Sequence, residues 1–278
     1  MTTLLVGFDS AWTLSNSGAL VGALQLDDGT FQELETPQIV NYHEAENIIL
    51  NWQSEQAPMA TIVLLDQPTI VKNAVGQRPV ENLVASPVSL RYGGLQPANT
   101  AKGEMFGKAA PMWPFLTRFG GPANPLELVV DTPVFETYPV LAMIALGWTL
   151  PDSRATGRLP KYNPKRKKTF STSDWRHVCG LASRAFRECG LMAIAVWIDG
   201  AARNPSPRKS DQDCLDACLC LLVALHLAQR KDCLMVGDLQ TGYIVVPYSA
   251  ELRAELVSRC NQTGRTPSQW VRTFRLLA

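Results

Sequence analysis

The sequence predicts an α/β protein, a mixed sheet flanked by helices with a long insertion after the fourth strand. Three observations predict it. The N-terminal quarter reads hairpin, third strand, helix, fourth strand. Later stretches carry helical periodicity or are apolar enough to be buried helices. The chain has 278 residues, 46% hydrophobic and 18% charged, a balance that suits one large domain spanning 1–278 with residues 67–126 inserted.

The elements follow in order. TLLVGFD is a β-rich apolar run that ends on an acid, Asp9. SNSG marks a turn. ALVGALQL and FQELETP read as strands around the DDG turn at 27–29, a hairpin signal. HEAENIILNW, with Ile48, Ile49 and Trp52, predicts an amphipathic helix. ATIVLLD is the continuous apolar run of a strand covered on both faces, and it ends on a second acid, Asp66. Three strands joined as antiparallel neighbours, then a helical crossover, return the fourth strand beside the first. Asp9 and Asp66 would then end neighbouring parallel strands, at the edge where open α/β sheets build their sites.

Between residues 67 and 126 the periodicity dissolves into Gly, Pro and Asn, interrupted by Trp113 and Phe115. A stretch of that kind is expected to be a lid or an inserted subdomain, with the two aromatics packing it onto the body. The pattern resumes at LELVVDTPVFETYPV, a strand region carrying Glu136, and the short helix VLAMIALG. STSDWRHVCGLASRAFREC predicts a helix capped by STSD. LMAIAVWIDGAA fits helix or strand. SDQDCLDACLCLLVALHLAQ predicts a helix buried nearly all round, with Asp213 and Asp216 on one face of its entrance. A hairpin, CLMVGDLQTGYIVVP, and a terminal helix, AELRAELVSRC, complete the reading.

Composition excludes several classes. A formal net charge of +1 gives no global attraction to nucleic acid or membranes, so any basic surface is local. The N-terminus lacks a signal-peptide pattern, and no apolar run reaches the length of a membrane span. Seven cysteines without a C-x-x-C pair suggest reduced thiols; Cys214, Cys218 and Cys220 serve as small hydrophobes, and the expected compartment is the cytoplasm. Neither G-x-G-x-x-G nor a P-loop occurs, and His43, His177 and His226 show no catalytic spacing.

The candidate catalytic residues are Asp9, Asp66, Glu136, Asp213 and Asp216. If four of these carboxylates converged at about 5.5 Å, each pair would repel by about 3 kcal/mol at an effective dielectric near 20. Six such pairs would exceed the whole stability of a typical domain, about 5–15 kcal/mol. The cluster must therefore hold protons or cations. With only oxygen donors on offer, the expected cofactor is Mg²⁺ or Mn²⁺, held by Asp9, Asp66, Asp213 and Asp216. A pair of such ions suits phosphodiester hydrolysis. Each acid also has an ordinary alternative: Asp9 and Asp66 as turn formers, Asp213 as a helix N-terminal charge.

VGFDSAW, LLDQP, FETYPVLA, KYNPKRKK and DQDCLDACLCLLVA together resemble the DUF429 family of predicted nucleases. That resemblance implies a ribonuclease-H-like fold. Within the wider superfamily, the ordered acids are similar to those of RuvC-type Holliday-junction resolvases. By that likeness Asp9 matches the first acid, Asp66 the second, and Asp213 and Asp216 the last pair. Asp66 departs from the Glu those resolvases generally use, and Glu136 matches the DUF429 E-x-Y-P motif.

The expected activity is a divalent-metal-dependent nuclease with nucleic acid as partner and no membrane association. Candidate phosphate contacts are Arg78, Lys102, Lys161, Lys165 and Arg166, the last three within the basic run 161–168, which reads equally as a solvated loop. Two alternatives stay open: phosphoryl transfer or ATP binding, as in the actin and sugar-kinase relatives of the fold, and a non-catalytic adaptor.

Overall fold

The computed structural model describes residues 2–91, 95–127, 131–150, 161–165 and 168–276. β1 (Thr3–Asp9), β2 (Gly18–Gln25) and β3 (Phe31–Val40) form an antiparallel meander, and α1 (Tyr42–Gln56) crosses over to β4 (Ala60–Leu65). Asn41 caps α1 by accepting from the Glu44 N–H at 3.0 Å, while the Glu44 carboxylate accepts from the Asn41 N–H at 2.8 Å. α2 (Pro79–Arg91), α3 (Gly103–Phe106) and α4 (Met112–Arg118) precede β5 (Val134–Glu136) and α5 (Pro139–Ala145). β4 pairs parallel with β1, and β5 parallel with β4, giving a mixed five-stranded sheet in the order β3-β2-β1-β4-β5.

The second half supplies α6 (Thr172–Glu188), α7 (Met192–Arg203) and α8 (Lys209–Ala228). Then come β6 (Cys233–Asp238), β7 (Gly242–Pro247), α9 (Ala250–Gln262), α10 (Pro267–Trp270) and β8 (Val271–Phe274). The segment that fitted helix or strand is therefore the helix α7. The expected C-terminal hairpin is part of a three-stranded antiparallel sheet, order β7-β6-β8, because VRTF adds a third strand to β6. The Thr137 hydroxyl donates to the Val245 carbonyl at 2.8 Å and ties the end of β5 to β7.

Strand alternation divides the core. Leu4, Val6 and Phe8 pack with α1 and α4 on one face; Leu5 packs on the other with α5, α6, α7 and α8. Residues 67–126 supply both cores: α2 buries Val80, Leu83, Val84 and Val88 on the α8 side. Phe115 of α4 packs at 5.3 Å from Phe8 and 5.6 Å from Tyr42 on the other side. α8 is buried from Gln212 to Leu225, lying on β1 and β2 with α5, α6 and β7 also against it. Gly7 makes this approach possible, since a Cβ there would overlap the Ala217 carbonyl and the Leu221 amide of α8. All seven cysteines are free, six of them buried. No helix among the described residues is long and apolar enough to cross a membrane.

Candidate functional site

Three neighbouring parallel strands each end on, or just before, an acid. Phe8 pairs with Leu65, and the Asp66 amide donates to the Phe8 carbonyl at 2.9 Å, so Asp9 and Asp66 stand side by side beyond the last rung. Both fall on the strand phase that faces α8, with Leu5 and Gly7 before Asp9, and Ile62 and Leu64 before Asp66. α8 runs antiparallel to β1. Its far end meets the start of that strand, where Gln25, the partner of Thr3, donates to the Ala228 carbonyl at 3.1 Å. Its first turns consequently lie over the strand ends. Asp9, Asp66, Asp213 and Asp216 thus line one cleft of about 630 Å³, which Glu136 also lines.

The floor of this cleft is braced by a buried polar trio. The Ser10 and Tyr42 hydroxyls both donate to Gln67 Oε1, and Gln67 Nε2 donates to Met112 Sδ at 3.2 Å. The residue after each strand-end acid is thereby fastened to its counterpart, which holds the two turns at a fixed spacing.

The four aspartates differ in how they are satisfied. Asp213 is ion-paired with Lys209, one helical turn earlier on α8. Asp216 accepts from the Tyr162 hydroxyl at 3.0 Å and from Gln212 Nε2. Asp9 is buried, and its Oδ2 has no hydrogen-bond partner among the described residues. Burial, together with the neighbouring Asp66, Asp213 and Asp216 charges, holds the Asp9 carboxyl well above the usual range, against the pull of Lys209. Asp66 is raised in the same way, by burial first and by Asp216 next. Asp216 is pushed up to about 7, with burial outweighing Lys209 and the hydrogen bonds from Tyr162 and Gln212. Burial draws Lys209 down, but the Asp9, Asp213 and Asp216 charges together outweigh it and leave its ammonium above the ordinary range. Proton retention and an internal ammonium are thus the two ways this cluster lowers its own repulsion.

Glu136 is in the cleft wall but is differently engaged. It sits one rung earlier, opposite Leu65, and on the other strand phase: its same-face neighbour Val134 lies in the α1-side core, whereas Phe135 lies in the α8-side core. Arg78 grips it with a two-pronged fork, Nη1 donating to Oε2 at 2.9 Å and Nη2 to Oε1 at 2.6 Å. Arg78 Nε donates to Glu81 at 2.8 Å, and the Thr69 N–H donates to Glu136 at 2.9 Å. Burial still leaves Glu136 above its ordinary value, with the Arg78 charge and hydrogen bonds opposing.

The basic candidates separate clearly. Arg78, expected to reach phosphate, lines the cleft but is 1% exposed and held by two glutamates and the Ile70 carbonyl. Lys161 has a fully buried side chain and does not line the cleft. Lys102 donates to the Pro97 carbonyl at 2.5 Å and does not line the cleft. Lys165 is exposed and does line it. Arg166 lies outside the described residues.

Lys209, Tyr162 and Gln67 were not singled out from the sequence. Lys209 had a readable signal, a cation four residues before Asp213 at a helix start. Tyr162 and Gln67 reach the site through tertiary packing alone.

The residues fit a hard divalent cation in kind. The carboxylates supply oxygen donors, and two buried oxygens of the cleft wall, Asp9 Oδ2 and Gln212 Oε1, have no partner among the described residues. Among the described residues no group of three or more His, Cys, Asp or Glu side chains is gathered tightly enough to hold an ion. A cation here would keep several waters, as Mg²⁺ commonly does. No family model matches the chain, and no curated protein matches it.

Proposed function

We propose that this chain is a divalent-metal-dependent nuclease of ribonuclease-H-like fold, hydrolysing phosphodiester bonds of nucleic acid, as its resemblance to the DUF429 family implies. The strand order β3-β2-β1-β4-β5, with an antiparallel meander followed by parallel β4 and β5, supports the fold reading. One observation carries the function: among the described residues, a buried carboxylate oxygen of Asp9 is left without a partner in a cleft shared with Asp66, Asp213 and Asp216. Leaving such a group unsatisfied costs free energy, and the expense is retained where a ligand completes the site. The seven free thiols support a reducing, cytoplasmic setting.

Asp9 and Asp66 would hold Mg²⁺ or Mn²⁺, with Asp213 and Asp216 adding negative charge from α8. A cation held there would supply charge relief to a scissile phosphate and would acidify a nearby water. The chain's own residues do the rest. The Gln67 brace fixes Asp9 and Asp66, Tyr162 and Gln212 orient Asp216, and Lys165 at the cleft wall attracts the anionic backbone.

The test is cleavage of DNA and RNA, single-stranded, duplex and branched, with Mn²⁺ or Mg²⁺. Asp9→Asn is expected to abolish metal-dependent cleavage while near-UV circular dichroism is unchanged. Undiminished cleavage by the pure, folded variant removes Asp9 from the reaction.

A further inference from the structure

The metal-dependent reading leaves open how many cations the cleft accepts, and the four aspartates are not equivalent in this respect. Asp9 and Asp66 stand together at adjacent strand ends, and among the described residues neither side chain takes part in a hydrogen bond or ion pair. Asp213 and Asp216 are already supplied from within the chain, by Lys209 on one and by Tyr162 and Gln212 on the other. We propose that the cleft takes a single divalent cation, between the Asp9 and Asp66 carboxylates, with the Lys209 ammonium occupying the place of a second cation. This rests on the metal-dependent reading above and specifies it.

The position of Lys209 supports a role set by the carboxylates rather than by its helix. It is the first residue of α8, where the backbone N–H groups already present positive charge and a cation is disfavoured. Its order with Asp213, cation before anion, is the weaker of the two arrangements along a helix. Neither local effect favours a lysine at this point. The carboxylates do, and the lysine reaches them from a side chain that remains 43% exposed. That exposure keeps the ammonium at the cleft mouth, where an incoming phosphate would meet it together with the cation. A point charge on a flexible stem can follow that phosphate without leaving the cluster unneutralised.

The two halves of the site then have separate duties. The strand-end pair has oxygen atoms available for a metal, and Asp9 Oδ2 in particular has no other partner. The α8 pair has a tethered positive charge that metal removal does not take away. A site of this kind keeps part of its neutralisation when chelated, which predicts a folded metal-free protein.

Mn²⁺ titration of the full chain in the absence of nucleic acid tests this, with free Mn²⁺ followed by its paramagnetic resonance signal. The wild type is expected to take one Mn²⁺ at the cleft, Asp66→Asn to lose it, and Asp213→Asn to retain it. Lys209→Met is expected to admit a second ion, and Lys209→Arg to stay at one. Lys209→Gln provides the same comparison if the methionine variant does not fold. A wild type that takes two ions of similar affinity overturns the single-cation assignment while leaving metal dependence intact, and so does loss of the ion in Asp213→Asn. Folded Lys209→Met and Lys209→Gln that both remain at one ion remove the lysine from the second position. A wild type that takes none overturns both readings.

Discussion

Two acidic groups lie along the same sheet edge and are treated in opposite ways. At β5, Glu136 and Glu81 share the guanidinium of Arg78, and the three side chains are almost wholly buried with their hydrogen bonds made. Around the ends of β1 and β4 and the start of α8, four aspartates share the Lys209 ammonium, and among the described residues the buried Asp9 Oδ2 has no partner. Both groups include acids at strand ends, so position in the topology does not tell them apart. Strand phase does: Asp9 and Asp66 face α8, whereas Glu136 is one rung earlier and turned to the other side. A buried charge is tolerated when it is paired and becomes a candidate for ligand binding when it is not. Under the proposed function the Arg78 group is scaffold and the Asp9 group is the site.

The largest expected effect breaks the scaffold side of this comparison. Arg78→Ala leaves two buried carboxylates facing each other without their cation, and removal of one partner of a buried pair typically costs about 3–5 kcal/mol. Urea denaturation should show a loss of that order. Asp9→Asn should show none, and a small gain is expected because it removes repulsion from the open cluster. Equal destabilisation by the two variants would erase the distinction between scaffold and site.

The next effect concerns pH and the metal-free protein. Asp216 has an ordinary value of 3.8, raised to about 7 in the fold, so between these values the folded state binds more protons than the unfolded one. Its contribution to stability is therefore fully present below about 3.8 and lost as pH rises through about 7. Asp9 and Asp66 are shifted in the same direction. Stability of the chelated protein should fall by a few kcal/mol across that window, as followed by denaturation midpoints. Mn²⁺ should reverse part of the fall, and by less in Asp66→Asn. A flat profile in chelator would mean that the cluster is not under-neutralised.

Gly7→Ala should have a smaller but more local consequence. The added methyl would overlap the α8 backbone and lie 2.9 Å from the Leu221 Cβ, so the helix must move away from β1. Overpacking of this kind typically costs about 1–3 kcal/mol. Because α8 carries Lys209, Asp213 and Asp216, the same shift should lower Mn²⁺ affinity measurably, as calorimetry would record. Gly22→Ala provides the control. Its methyl would meet the Trp52 ring on the opposite face of the sheet, with stability reduced and Mn²⁺ affinity retained.

Much of this arrangement was legible in the sequence, for identifiable reasons. β1 to β4 and α1 have clean periodicity and turn chemistry, and α8 is apolar enough to declare its burial. The acids that line the cleft could be picked out because strand ends and helix starts are readable positions. α2 was not readable: Pro79, Pro87, Asn82 and the serines obscure its apolar face, and Pro87 lies inside the helix. β8 is only four residues long and is defined by its pairing with β6. The Arg78–Glu136 pair spans 58 residues of sequence, so no local pattern could separate that arginine from a surface cation. The same limit applies to Lys161, whose basic surroundings suggested exposure.

The smallest effect on stability sharpens the open side of the comparison from its positively charged wall. Lys165 is the exposed residue of the basic run that lines the cleft, while Lys161, four positions earlier, is buried. Lys165→Ala should change stability by less than about 0.5 kcal/mol, since it touches neither core nor cluster. If the cleft accepts a nucleic-acid backbone, each phosphate neutralised by a lysine releases counterions, and the slope of log affinity against log salt should decrease by about 1 in this variant. The measurement belongs in an Asp9→Asn background, where cleavage does not interfere with binding. Arg78→Lys offers the counterpart from the scaffold group. It retains the charge but loses the fork on Glu136, so it should lower stability while leaving the salt slope unchanged. An unchanged slope in Lys165→Ala would place the backbone path away from residues 161–165 and leave Lys209 as the cation that meets it.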